Sequence, residues 1–152
     1  ATFDHVHYWL GDGLSAGRKR INGWLADLSD RLVPVDVEGE TAYVVRDDVG
    51  DLVAARASRS VRLLPGHDPW VIGPGTKDVH VTPPPRREVV TRKANLVVAG
   101  GVVSGTWVAK GDELVVTWFA DAGRLPRKAL GEEIERLGIV LGRRRELKVG
   151  IT

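Results

Sequence analysis

Between residues 94 and 119 the chain reads as three β segments cut by glycine. Residues 94–99, 102–109 and 113–119 are rich in Val, Ala, Thr and Trp, and Gly100-Gly101 and Lys110-Gly111-Asp112 separate them. Glycine supplies the positive φ that tight hairpin turns demand, so the stretch predicts an antiparallel meander. Such a sheet must bury a face against another layer. The candidate cover is a helix over 127–141, whose Leu130, Ile134, Leu137 and Leu141 recur at spacings of four, three and four. Arg143-Arg144-Arg145 follow, placed to complement that helix's C-terminal dipole, and then a strand over 146–151. Within the meander, Gly105 predicts a close backbone approach.

The segment before the meander is a short strand over 61–64, stopped by Pro65-Gly66. Residues 66–85 are rich in Gly and Pro and predict an ordered loop with one helical turn, in which Trp70, Val71 and Ile72 need burial. Pro83, Pro84 and Pro85 end it, and 86–90 predicts another short helical turn.

The first third of the chain has a helical period instead. Thr2 is placed to cap a helix over 3–10, with Phe3, Val6, His7 and Leu10 on one face, ended by Gly11-Asp12-Gly13. Ser15 is placed to cap a second helix over 15–29, with Ile21, Trp24, Leu25 and Leu28 as its apolar stripe. A hairpin follows, 32–37 and 41–45 around Glu38-Gly39, then a third helix over 49–57 capped by Asp47. The expected fold class is α+β: a partial winged helix (helix-turn-helix plus β-hairpin wing) over 1–58, then a mostly antiparallel β-rich domain with a C-terminal helix over 59–152.

Composition narrows the chemistry. The 152 residues include no cysteine, which excludes disulfides, thiolate zinc sites and cysteine nucleophiles. No apolar run approaches the roughly 20 residues needed to span a bilayer, and no apolar signal region opens the chain. The expectation is a cytoplasmic protein that uses no membrane and no cofactor. Net charge is +2 but unevenly spread. Residues 1–60 hold seven Lys/Arg against ten Asp/Glu, and residues 61–152 hold fifteen against ten.

Two basic groups are candidates for DNA. Arg18, Lys19, Arg20 and Asn22 lie on the second helix, where a recognition helix presents polar side chains opposite its core stripe. The hairpin beside it is acidic at Asp36, Glu38 and Glu40, which opposes phosphate. Arg86, Arg87, Arg92 and Lys93 precede the meander and are placed to touch phosphates or to serve as ordinary surface charge. The sequence His67-Asp68-Pro69-Trp70 invites an acid–base or ligand-binding reading. No His-x-x-x-His spacing supports a metal, and His5 and His7 are two apart on a helix. A structural loop role is the expectation for His67 and Asp68, with Trp70 as a core plug. Glu132-Glu133 reads as a solvated helix face. No Gly-x-Ser-x-Gly and no phosphate-loop signature occurs, so no catalytic residue is assigned.

Several of these residues resemble one bacterial family. Thr2-Phe3-Asp4 with Trp9, the helix holding Trp24 and Leu28, and the hairpin at Glu38-Gly39 resemble the last winged-helix unit of the "winged helix DNA-binding domain" proteins. That family includes the AlkZ/YcaQ-type crosslink-repair DNA glycosylases. Arg62 through Trp70 resembles its leucine–proline–aspartate segment, and Asn95 through Trp107, with Gly101-Val102-Val103-Ser104-Gly105-Thr106-Trp107, resembles its hairpin. The resemblance covers nearly all of the chain and implies a C-terminal part of a longer protein. The first helix of its winged helix and an N-terminal half are then missing, with double-stranded DNA as partner. The family's glycosylases use a glutamine motif in the N-terminal half. This sequence contains no glutamine, so no catalytic residue carries over. Two rival readings stand beside DNA binding: a protein-interaction or structural module, and a small ligand-binding or hydrolytic domain around His67 and Asp68.

Overall fold

The computed structural model describes residues 1–142 and 146–152; the Arg143–Arg145 expectation lies outside the described residues. The chain is α+β and divides into two compact units, Ala1–Arg56 with Gly73–Gly75, and Ala57–Ile72 with Thr76–Thr152.

The first unit holds α1 (Phe3–Leu14), α2 (Arg18–Asp27), the hairpin β1 (Leu32–Val37) and β2 (Glu40–Val45), and α3 (Val49–Ala54). The Thr2 hydroxyl accepts from the His5 N–H, as an N-cap should. The helix does not stop at Gly11-Asp12-Gly13. It runs to Leu14 and ends on Ser15, which sits in the left-handed region at φ 51. Ser15 therefore terminates α1 rather than capping α2, whose N-cap is Gly17. Two glycines cost a helix about 1 kcal/mol each, too little to break it where a left-handed terminator lies just beyond. The β1–β2 turn is the expected Glu38-Gly39, both at positive φ, with Gly39 N–H donating to Asp36. The third helix is shorter than its pattern: a 3-10 turn takes Arg46–Asp48, and α3 ends at Ala54. Asp47 makes no cap there. Among the residues of this unit whose burial is described, the buried apolar side chains are Ala16, Ile21 and Ala42.

The second unit is a five-stranded sheet, β3 (Val61–Leu64), β4 (Leu96–Ala99), β5 (Val102–Lys110), β6 (Glu113–Trp118) and β7 (Glu146–Ile151), paired in that order. The first four strands run antiparallel and β7 joins β6 in parallel. That parallel pairing needs a crossover, which α6 (Arg127–Val140) supplies. Leu96, Val97 and Val98 of β4 are all buried, because both faces of the sheet are covered. Val97 faces a cluster with Leu63, Val116, Trp118, Leu130 and Ile134. Leu96 and Val98 face a second cluster with Val71, Val90 and Val103, built from the segment holding α4 (Pro69–Ile72) and α5 (Arg87–Thr91).

Glu133 corrects the expectation of a solvated face, being only 2% exposed. Its carboxylate accepts from the Leu63 N–H of edge strand β3 at 3.0 Å and from Arg136 at 2.7 and 2.9 Å, with Arg62 at 3.5 Å. Burial by itself raises the Glu133 pKa; the Arg136 and Leu63 hydrogen bonds and the two guanidinium charges outweigh it, so the net displacement is downward.

We expect Glu133→Ala to cost about 1–3 kcal/mol in urea unfolding, since it orphans the buried Leu63 N–H. A folded-state pKa below the ordinary 4.5 means this contribution is present above that value and is lost as pH falls through the depressed one. Glu133→Gln should keep the Leu63 bond and lose this share of the acid sensitivity. A second expectation concerns Gly105, where a Cβ would stand 2.5 Å from the Thr117 carbonyl oxygen. Gly105→Ala should therefore lower stability by about 1–3 kcal/mol through overpacking, read from the same unfolding curves.

Candidate functional site

Helix α2 presents its polar residues outward. Ile21 is buried, while Arg18, Lys19, Arg20 and Asn22 are exposed. No acidic residue lies in its first turn and no side chain caps it. Three cations at the positive end of a helix dipole are each unfavourable by about 0.3–1 kcal/mol, an arrangement that an incoming anion would reverse. Arg18 is partly engaged already: it pairs with Asp4 at 2.9 Å and lies 4.5 Å over the Phe3 ring. Lys19, Arg20 and Asn22 remain directed at solvent. The hairpin residues Asp36, Glu38 and Glu40 are also exposed.

Of the second basic group, Arg86 is withdrawn from the surface. Arg86 is only 7% exposed. Strand β5 bulges at Ser104, between the pairs Val97–Gly105 and Val98–Val103, and a bulge takes backbone groups out of the ladder. The Arg86 guanidinium donates to the freed Val103 carbonyl, pairs with Asp121 at 3.0 Å and lies 5.7 Å from the Phe119 ring. Arg87 donates to the Lys77 carbonyl at 2.9 Å. Arg92 pairs with Glu88 one helical turn away. Lys93, at φ 67, is exposed and has no such partner among the described residues.

In the loop, Asp68 accepts from the Trp70 N–H at 2.9 Å, and its carbonyl receives the Val71 and Ile72 N–H groups. It starts α4. His67 is exposed at φ 65. Trp70 is not the plug: it is 61% exposed, and Val71 fills the core instead. A single helical turn can point only one of two adjacent side chains inward, and the smaller β-branched one fits. Among the described residues no cluster of His, Asp and Glu has metal-site geometry, and no helix is long and apolar enough to cross a membrane.

Residues 1–139 match the family described as DNA glycosylase AlkZ-like. The chain belongs to this family. It is 39% identical over 137 residues to an interstrand DNA cross-link repair glycosylase of Streptomyces sahachiroi, covering 88% of this chain and 37% of that protein. The solved structure of Streptomyces sahachiroi DNA glycosylase AlkZ superposes with a TM-score of 0.90 at 35% identity, over 99% of this chain and 42% of that one. The chain thus spans about two fifths of the length of the relatives it matches. The two family-like segments of the second unit meet in space. The Trp107 indole donates to the Leu64 carbonyl at 2.9 Å, and the Gly66 N–H donates to Asn95 at 2.9 Å. Gly66 lies so close to the Lys93 carbonyl that a Cβ would stand 2.2 Å from its oxygen.

One cationic surface has no counterpart in any sequence run. In the second unit, Arg59, Arg62, Arg124, Arg127, Lys128 and Arg136 line a single groove of about 1320 Å³. They come from the approach to β3, from β3 itself, from the loop after β6 and from α6. Only Arg127-Lys128 are adjacent in sequence, so no charge run announced it.

For Arg86 the expected outcome is structural. Arg86→Ala should lower stability by about 1.5–3 kcal/mol, the loss typical of a charge-assisted hydrogen bond, measured by thermal or urea unfolding. Under conditions where the variant is fully folded, its DNA affinity should match that of the parent.

Proposed function

We propose that this chain is the DNA-gripping and structural part of a DNA glycosylase acting in cross-link repair, and that α1, α2 and the β1–β2 hairpin work as a partial winged helix. Membership of the AlkZ-like family over residues 1–139 carries this reading. The uncapped, acid-free N-terminus of α2 with Lys19, Arg20 and Asn22 exposed supports it, since phosphate and base-edge contacts come from this part of a recognition helix. Lys93 is a further candidate contact. Arg86 is excluded because it is consumed by the β5 bulge. Base excision, where the parent performs it, requires the target base to leave the stack. A DNA target agrees with the cytoplasmic location expected from the sequence.

A protein-interaction role is the second reading. It is favoured by the exposed acids of the hairpin and by Trp9 and Trp24, 57% and 38% exposed. The hydrolytic reading at His67 and Asp68 is the weaker one, because the Asp68 carboxylate is spent on starting α4.

Fluorescence anisotropy with a labelled duplex across a salt series separates the two main readings. DNA gripping predicts affinity that falls steeply with salt. Lys19→Ala/Arg20→Ala should flatten the log–log slope by about 1.8, two phosphate contacts' worth. Absence of duplex binding at low salt would leave the protein-interaction reading.

A further inference from the structure

The groove at the N-terminal end of α6 has the composition of a polyanion site. Six cationic side chains line it, and the lining carboxylates are Glu132 and Glu133. Glu133 is buried and already neutralised by Arg136 and Arg62. Glu132 lies 3.9 Å from Lys128. That leaves Arg59, Arg124 and Arg127 exposed, with no carboxylate partner among the described residues. Three unpaired guanidinium groups sharing one concavity repel each other, and folding gains nothing from bringing them together. Each presents a planar fork of donors matched to phosphate oxygens. The first turn of α6 adds to the field, as it contains no acidic residue and no side-chain cap. The volume also speaks for an extended ligand. Small-molecule pockets run to about 300–1,000 Å³, and this groove is larger, at about 1320 Å³.

We infer that this groove binds a nucleic-acid phosphodiester backbone, with Arg59, Arg124 and Arg127 as the phosphate contacts. The inference rests on the DNA reading above but concerns a different unit and different residues. Arg62 and Arg136 have another duty: they hold the Glu133 carboxylate that secures strand β3. Arg59, Arg124 and Arg127 hold no such bond, so their removal spares the fold.

The test uses the 152-residue chain with a labelled duplex and a labelled single strand, each titrated by anisotropy across a salt series. Arg59→Ala/Arg124→Ala/Arg127→Ala is compared with the parent and with Lys19→Ala/Arg20→Ala, after circular dichroism has shown all three folded alike. Loss of three contacts should flatten the salt slope by about 2.7 on duplex or about 2.1 on single strand, and weaken duplex binding roughly 10²-fold at 0.1 M salt. The strand form with the larger loss is the one the groove holds. If the triple variant keeps both affinity and slope while the Lys19/Arg20 variant loses them, the groove inference falls and DNA gripping by α2 stands. If the triple variant loses binding and the Lys19/Arg20 variant does not, the groove stands and α2 is not the contact. No binding by the parent chain to either strand form at low salt overturns both.

Discussion

Strand β3 lies at the edge of the five-stranded sheet, and the Leu63 N–H points away from its neighbour β4. An open edge of this kind is a template for pairing with another chain. Glu133 closes it. The carboxylate accepts the Leu63 N–H and two bonds from Arg136, which offset the cost of burying a charge. The bond also fixes α6 against β3, beside the cluster of Val61, Leu63, Leu130 and Ile134. Crossover helix α6, which leads into β7, and the lining of the basic groove lie at that contact. It also sorts the arginines of the groove. Arg62 and Arg136 answer to Glu133, while Arg59, Arg124 and Arg127 have no carboxylate partner among the described residues.

Arg86 follows the same physical rule on the other face of the sheet. A buried backbone group without a partner costs more than a surface charge gains, so the bulge at Ser104 recruits a guanidinium to the Val103 carbonyl. The Val103 N–H is likewise satisfied from outside the ladder, by the Val81 carbonyl. Both repairs use charged residues that stand in sequence beside another charge of the same sign, Glu132-Glu133 and Arg86-Arg87. Neighbours in sequence on a helix point in different directions, so one member of each pair is buried and the other is not.

The first unit is built differently. Among the described residues its buried apolar side chains are Ile21 and two alanines, and Leu52, Val53, Trp9 and Trp24 keep much of their surface exposed. Its helix α2 sets cations where the dipole opposes them. Sequence features that disagree with local stability are expected at binding surfaces, and their concentration on α2 is the ground for proposing it as one. The second unit, with buried clusters on both faces of its sheet, has the stability to carry an unfavourable gathering of arginines.

Turn chemistry and periodicity made most elements legible. Glu38-Gly39 and Gly100-Gly101 adopt the positive φ their composition requires, because that preference is local to two residues. The stripe Leu130, Ile134, Leu137 located α6, and the alternation in 113–119 located β6, because a buried face imposes its period on the chain. The stripe expected on α2 was less informative: of Ile21, Trp24, Leu25 and Leu28 only Ile21 is buried, while Trp24 and Leu28 stay exposed beside the cations. Helix ends were less so: Gly11 and Gly13 looked like a stop and Ser15 like a start, whereas the left-handed turn at Ser15 reversed both roles. What sequence by itself determined, then, was the set of elements and the α+β class, each governed by interactions a few residues apart. Tertiary structure alone decided that Trp70 lies outside and Val71 inside, that Glu133 and Arg86 are buried partners of backbone groups, and that Arg59, Arg124 and Arg127 face one groove. Those outcomes depend on which segments meet, and distant segments meet through hydrogen-bond satisfaction and packing that no local pattern encodes.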